Sequence, residues 1–119
     1  MPLLRVIAGP DMGASAEVRD APVTIGRGPE CGLALTDEQV SVIHALVEPF
    51  NGRFRVRDLE SLDGTTLNRQ KVLEHQLMFG DIITVGATCI LFGTGTEVDD
   101  TETVGSAEMP MPGDADTSA

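Results

Sequence analysis

The polar residues able to do chemistry fall into four short blocks. They are Ile25-Gly26-Arg27, Ser41-Val42-Ile43-His44-Ala45, the run Asp58-Leu59-Glu60-Ser61-Leu62-Asp63-Gly64-Thr65-Thr66-Leu67-Asn68, and Gly80-Asp81-Ile82-Ile83-Thr84-Val85-Gly86. Together they offer a guanidinium, several hydroxyls, an imidazole and an amide, but not the parts of a catalyst. There is no glycine-rich loop to cradle a nucleotide, no nucleophile paired with a base, and no cluster of metal ligands. The chain is therefore expected to be non-catalytic and to need no cofactor. His44 has no second His, Cys or carboxylate at ligand spacing, so no metal site is expected. Cys31 and Cys89 lack CxxC spacing and sit in apolar surroundings, which predicts buried free thiols instead of a zinc site or a disulfide.

The segments that must position these blocks read as strands. Apolar residues come in runs of about four to six bounded by Gly, Pro, Asp and Asn, and no segment sustains a helical period. Strands are predicted at Leu3–Ala8, Glu17–Arg19, Val23–Ile25, Leu33–Leu35, His44–Glu48, Arg53–Asp58, Thr66–Leu67, Gln70–Val72, Asp81–Val85 and Thr88–Phe92. In Arg53-Phe54-Arg55-Val56-Arg57 the alternation places two apolar side chains on one face and three arginines, a basic stripe, on the other. Asn51-Gly52 is a hairpin turn by composition, since both residues tolerate positive φ. Short strands in such number predict an all-β fold of two packed sheets.

Composition bounds the rest. The chain has 119 residues, enough for one domain, with 41% hydrophobic residues, no Trp, no Tyr and four Phe, so its core must be aliphatic. The net charge of −11 is unevenly spread: residues 1–93 carry −4, and residues 94–119 carry −7 with no basic residue. This acidity disfavours nucleic acid and anionic membrane surfaces as partners. No apolar run approaches the roughly 20 residues of a membrane span, nor does the N-terminus read as a signal peptide, so a cytoplasmic location is expected. Residues 1–93 are expected to form the domain, and 94–119, rich in Gly, Thr, Ser, Asp, Glu and Pro, to be a disordered acidic tail or linker.

In order and spacing the four blocks resemble the forkhead-associated (FHA) domain family, over about residues 3–93. The resemblance implies a β-sandwich of two antiparallel sheets with about 10–11 short strands and a peptide site on loops at one end. It also implies a non-catalytic signalling module that binds phosphothreonine peptides of a partner protein. By motif position Arg27 contacts the phosphate, which suits a permanently charged fork of donors. Ser41 supplies a hydroxyl to the same phosphate, and Asn68 helps fix the loop and reaches for the ligand backbone. His44, Gly26, Gly64 and Thr65 brace the loops.

Where phosphothreonine binders of the family usually carry Ser-Thr-Asn-Gly-Thr, this chain has Ser61-Leu62-Asp63-Gly64-Thr65. Leu62 cannot donate to a phosphate, and Asp63 can accept from a peptide N–H but not donate to a carbonyl. Val42 stands where a basic residue is common. These departures support an alternative reading, a degenerate FHA scaffold making phosphorylation-independent contacts within a larger assembly. The family also contains regulators phosphorylated on a tail threonine that folds back onto their own site. Thr101 and Thr103, within Glu97-Val98-Asp99-Asp100-Thr101-Glu102-Thr103-Val104, are the candidate phosphosites, with a Ser/Thr kinase implied.

Overall fold

The computed structural model describes residues 2–94. The expected disorder of the tail, and Thr101 and Thr103, lie outside the described residues. Eleven strands follow in chain order: β1 (Pro2–Ala8), β2 (Ser15–Glu17), β3 (Val23–Gly26), β4 (Leu33–Ala34), β5 (Ala45–Phe50), β6 (Arg53–Asp58), β7 (Thr65–Leu67), β8 (Gln70–Val72), β9 (Glu74–Leu77), β10 (Ile82–Val85) and β11 (Thr88–Thr94). They form a six-stranded sheet, β2-β1-β11-β10-β7-β8, and a five-stranded sheet, β4-β3-β5-β6-β9. The sandwich expected from the sequence is present. Every pairing is antiparallel except β3 with β4, which runs parallel with Ile25 opposite Leu33.

Alternation decides which face each strand buries. Ile83 opposes Ile90 and Leu4 opposes Phe92 in one sheet, and Val47 opposes Val56 in the other, all at most 2% exposed. Val18, Leu35 and Val40 enter the same core from loops. Burying each such aliphatic side chain stabilises the fold by about 1.5–3 kcal/mol, which makes up for the scarcity of aromatics.

Strand boundaries differ from expectation where pairing, not periodicity, rules. β2 lies at Ser15–Glu17 because Glu17 pairs with Leu3; Val18 then leaves the ladder to bury its side chain, with its N–H on Pro2 O at 3.0 Å. β9 has no apolar alternation and was not anticipated. It is an edge strand that buries only Leu77 and is held by main-chain pairing to β6.

The arginine stripe is not a free basic surface. Glu48, opposite Arg55 across the β5–β6 pair, takes Arg55 Nε at 2.7 Å and Arg57 Nη1 at 3.3 Å, and Glu74 of β9 lies 3.8–3.9 Å from both arginines. The Arg55 hydrogen bond, with Arg57 adding to it, outweighs burial and holds the Glu48 carboxyl below the usual range. Arg55 also stacks on Phe50, 3.9 Å from the ring centroid. Arg53 has no acidic partner among the described residues.

Cys31 and Cys89 are both free, Cys31 buried and Cys89 half-buried. Burial pushes the Cys31 thiol up, away from reactivity. Among the described residues no group of His, Cys, Asp and Glu could hold a metal ion, and no helix is long and apolar enough to cross a membrane.

Candidate binding loops

Three loops meet at one end of the sandwich: β3–β4 carrying Arg27, β4–β5 carrying Ser41 and His44, and β6–β7 carrying Leu62, Asp63 and Gly64. The first two are stitched together through the main chain. Arg27 N donates to Ser41 O at 3.1 Å, Gly28 N to Val42 O at 3.0 Å and Leu35 N to Gly26 O at 2.8 Å. Gly26 permits this closeness, because a Cβ there would stand 2.2 Å from Val42 O and 3.1 Å from Cys31 Sγ.

His44 joins the second loop to the third. It is fully buried; its Nδ1 accepts from Ser41 N at 3.0 Å, and its Nε2 lies 2.8 Å from Gly64 O. A nitrogen that accepts carries no proton, so the imidazole is the neutral Nε2–H tautomer and donates to Gly64. Leu59 N in turn donates to His44 O at 2.9 Å.

The β6–β7 loop is built around Asp58. Its Oδ1 accepts from Ser61 Oγ at 2.5 Å and from Thr65 Oγ1 at 2.7 Å, and Ser61 Oγ accepts from Gly64 N at 2.9 Å. Burial would raise the Asp58 carboxyl, but the bonds from Ser61 and Thr65 together outweigh it and hold the group low. Gly64 sits at φ +89°, where a side chain would be strained, and Thr65 is fully buried. The bracing roles expected of His44, Gly26, Gly64 and Thr65 coincide with these contacts.

Arg27 and Ser41 keep donors that the loop contacts do not use among the described residues. Arg27 is exposed, with Nε on Val40 O at 2.5 Å and no partner on either Nη among the described residues. Ser41 Oγ accepts from Leu62 N at 3.1 Å, which leaves its O–H free to donate. A fork of two N–H faces pinned at its base, beside a free hydroxyl, is suited to an anion with several acceptor oxygens. Leu62 is 91% exposed and Asp63 is exposed beside it.

Asn68 is not brought to this cluster. It lies past the far end of β7, where Nδ2 donates to Asp81 Oδ1 at 3.0 Å and Oδ1 accepts from Ile82 N at 2.9 Å. Its amide ties the β7–β8 turn to the start of β10. Sequence reasoning also passed over Asp37, 5% exposed, which reaches from the β4–β5 loop to the β10–β11 hairpin. Its carboxylate accepts from Gln39 N at 2.9 Å, Ala87 N at 2.8 Å and Thr88 Oγ1 at 2.8 Å. The Gln39 bond chiefly, with those from Thr88 and Ala87, holds its pKa low against burial. The Asp37-to-Gln39 Asx turn was a local signal. The partners fifty residues away gave none.

Such loops, on such a sandwich, define a non-enzymatic recognition module. The family model for the "inner membrane component of T3SS, cytoplasmic domain", an FHA-like domain, matches residues 5–95. Solved FHA domains superpose closely. One, from work on phosphothreonine-dependent FHA domain interactions, is 31% identical with a TM-score of 0.72, covering 78% of this chain and 95% of that one. The FhaA FHA domain, solved in complex with the intracellular domain of a second protein, is 32% identical with a TM-score of 0.71, covering 77% and 99%. The chain belongs to the FHA family.

Among full-length relatives, the glycogen accumulation regulator GarA of Mycolicibacterium smegmatis is 36% identical over 98 residues, covering 82% of this chain and 62% of that protein. The oxoglutarate dehydrogenase inhibitor of Corynebacterium efficiens is 38% identical over 93 residues, covering 78% and 66%. The chain thus spans less than two thirds of the length of either. Both are named for regulation, in keeping with a module that binds and does not catalyse.

Proposed function

We propose that this chain is a phosphothreonine-binding module whose partner is a protein phosphorylated by a Ser/Thr kinase, with the FHA unit at residues 1–93 and an acidic tail or linker at 94–119. The carrying observation is the Arg27 guanidinium, pinned through Nε to Val40 O with both Nη groups free among the described residues, on a loop bonded to Ser41. Arg27 and Ser41 hold the phosphate, Leu62 and Asp63 flank it, and Asn68 serves by bracing. A cytoplasmic location, where kinase and partner are available, goes with this reading. The partner includes the chain's own tail: Thr101 and Thr103 lie in an acidic stretch tethered to the domain, so their phosphates would act at high effective concentration.

The test is a titration against phosphothreonine peptides with matched phosphoserine and unphosphorylated peptides. Removing a charged donor from a phosphate costs about 1.5–3 kcal/mol, so Arg27→Ala should weaken binding by one to two orders of magnitude. Asp63→Asn, which removes a negative charge and adds a donor, should tighten it. A Thr101→Ala/Thr103→Ala variant that behaves as the parent after kinase treatment would remove the tail from the set of partners.

One observation favours a second reading. Leu62, apolar and 91% exposed at the loop tip, fits a phosphorylation-independent scaffold, and the matched family model is of an assembly component. Binding that ignores phosphorylation and survives Arg27→Ala would select it.

A further inference from the structure

At the end of the sandwich away from the binding loops lies a groove of about 530 Å³, lined chiefly by Arg53, Phe54, Leu77, Met78, Phe79 and Phe92. Strand β6 fixes the separation: six residues long, it starts at the groove with Arg53 and ends at Asp58, beneath the loops. The groove floor is preformed. The Phe79 ring stacks on Phe92 with centroids 5.3 Å apart, and Phe54 tilts against Phe92 at 5.9 Å. Yet Met78 is 62% and Phe79 59% exposed, so two large apolar side chains face solvent side by side. Arg53, at the rim, is the arginine of β6 with no acidic partner among the described residues.

We propose that this groove is a docking site for the chain's own C-terminal segment, with Met109 and Met111 of Glu108-Met109-Pro110-Met111-Pro112 seated against Phe54, Phe79 and Phe92 and the neighbouring acids facing Arg53. Chain path, reach and chemistry select this occupant. β11 runs toward the groove, where Gly80 N donates to Phe92 O at 2.8 Å and Phe92 N to Asp81 O at 2.9 Å, so the chain reaches Thr94 at the groove end. Met109 is fifteen residues beyond Thr94. Such a tether spans up to about 50 Å extended and has a root-mean-square span of about 20 Å. The described residues measure 42 × 32 × 25 Å, so the groove is well within reach.

The complementarity is of charge and of shape. The segment after Thr94 holds seven acidic residues and no Lys or Arg, against the unpaired Arg53. Methionine is the side chain best able to fill an irregular aromatic groove, through sulfur contacts with ring edges. Pro110 and Pro112 restrict the chain and reduce the entropy lost on docking. Tethering adds an effective concentration in the millimolar range.

The test uses the full chain with its methionine methyls ¹³C-labelled for NMR. Docking predicts Met109 and Met111 methyls shifted upfield by the phenyl rings, with cross-relaxation to Phe79, independent of protein concentration. Arg53→Ser, at an exposed position, should move both methyls back toward the position of a solvated methionine. Met109→Ser/Met111→Ser, confined to the tail, should in turn shift the Met78 methyl. Methyls at the solvated position in the parent chain, or a Met78 signal indifferent to the double variant, would overturn the proposal. Shifts that grow with protein concentration would also overturn it and assign the groove to a second copy.

Discussion

The imidazole of His44 holds Ser41 and the third binding loop together, taking Ser41 N–H on Nδ1 and giving Nε2–H to Gly64 O 2.8 Å away. Ser41, the candidate phosphate donor, thus owes its position to a ring that never faces the ligand.

Replacing His44 by Phe keeps the volume and removes both bonds, leaving the half-buried Ser41 N–H and Gly64 C=O without those partners. At roughly 1–3 kcal/mol for each such group, His44→Phe should destabilise the domain by about 2–6 kcal/mol. Denaturant unfolding measures this, and amide exchange at Ser41 and Leu59 should accelerate ahead of the core strands.

Gly26→Ala tests the close approach of the first two loops. A methyl 2.2 Å from Val42 O must push the backbone apart, which lengthens the Arg27–Ser41 and Gly28–Val42 bonds. The expected cost is about 1–3 kcal/mol, with phosphopeptide affinity falling more than for a core change of equal cost. A loss of stability with affinity intact would show that the two loops are positioned independently.

The carboxylates of Asp37 and Asp58 are held below their ordinary range by the donors around them. In the unfolded chain they titrate near 3.9, so their contribution to stability is complete above that pH and is lost as pH falls through the lower folded values. Urea midpoints should be flat from pH 7 to about 5 and drop below about 4. Asp37→Asn turns an acceptor into a donor facing Ala87 N–H and Thr88 O–H. It should cost roughly 1–3 kcal/mol at neutral pH and flatten the acid limb.

Asn68 and Arg69 both have positive φ, 50° and 74°, in the two-residue β7–β8 turn. Asparagine adopts this region readily, but for arginine it costs about 1–2 kcal/mol. Arg69→Gly should raise the melting temperature, net of the glycine's added entropy in the unfolded chain. Asn68→Ala should lower it, since the bonds to Asp81 and Ile82 go with the amide.

Much of this protein was legible in its sequence because the deciding information was local. The β6 alternation, the Asn51-Gly52 turn with both φ values positive, and the order of the four blocks each lie within a few residues. So does the placement of Arg27, Ser41 and Gly64 on loops. Periodicity encodes which side chains turn inward, and turn chemistry encodes where the chain reverses.

Tertiary structure alone decided the rest, because it concerns which distant segments meet. Nothing near Glu74 announces an edge strand; β9 exists because β6 offers it a free ladder. Three arginines in alternation read as a basic stripe until the β5–β6 register sets Glu48 opposite Arg55. That the Asn68 amide bonds Asp81 and the Ile82 N–H follows from the pairing of β7 with β10. The bond from Thr88 to Asp37 crosses fifty-one residues. A sequence specifies the groups that demand partners, but how each demand is met depends on the register and packing of sheets whose strands lie far apart in the chain.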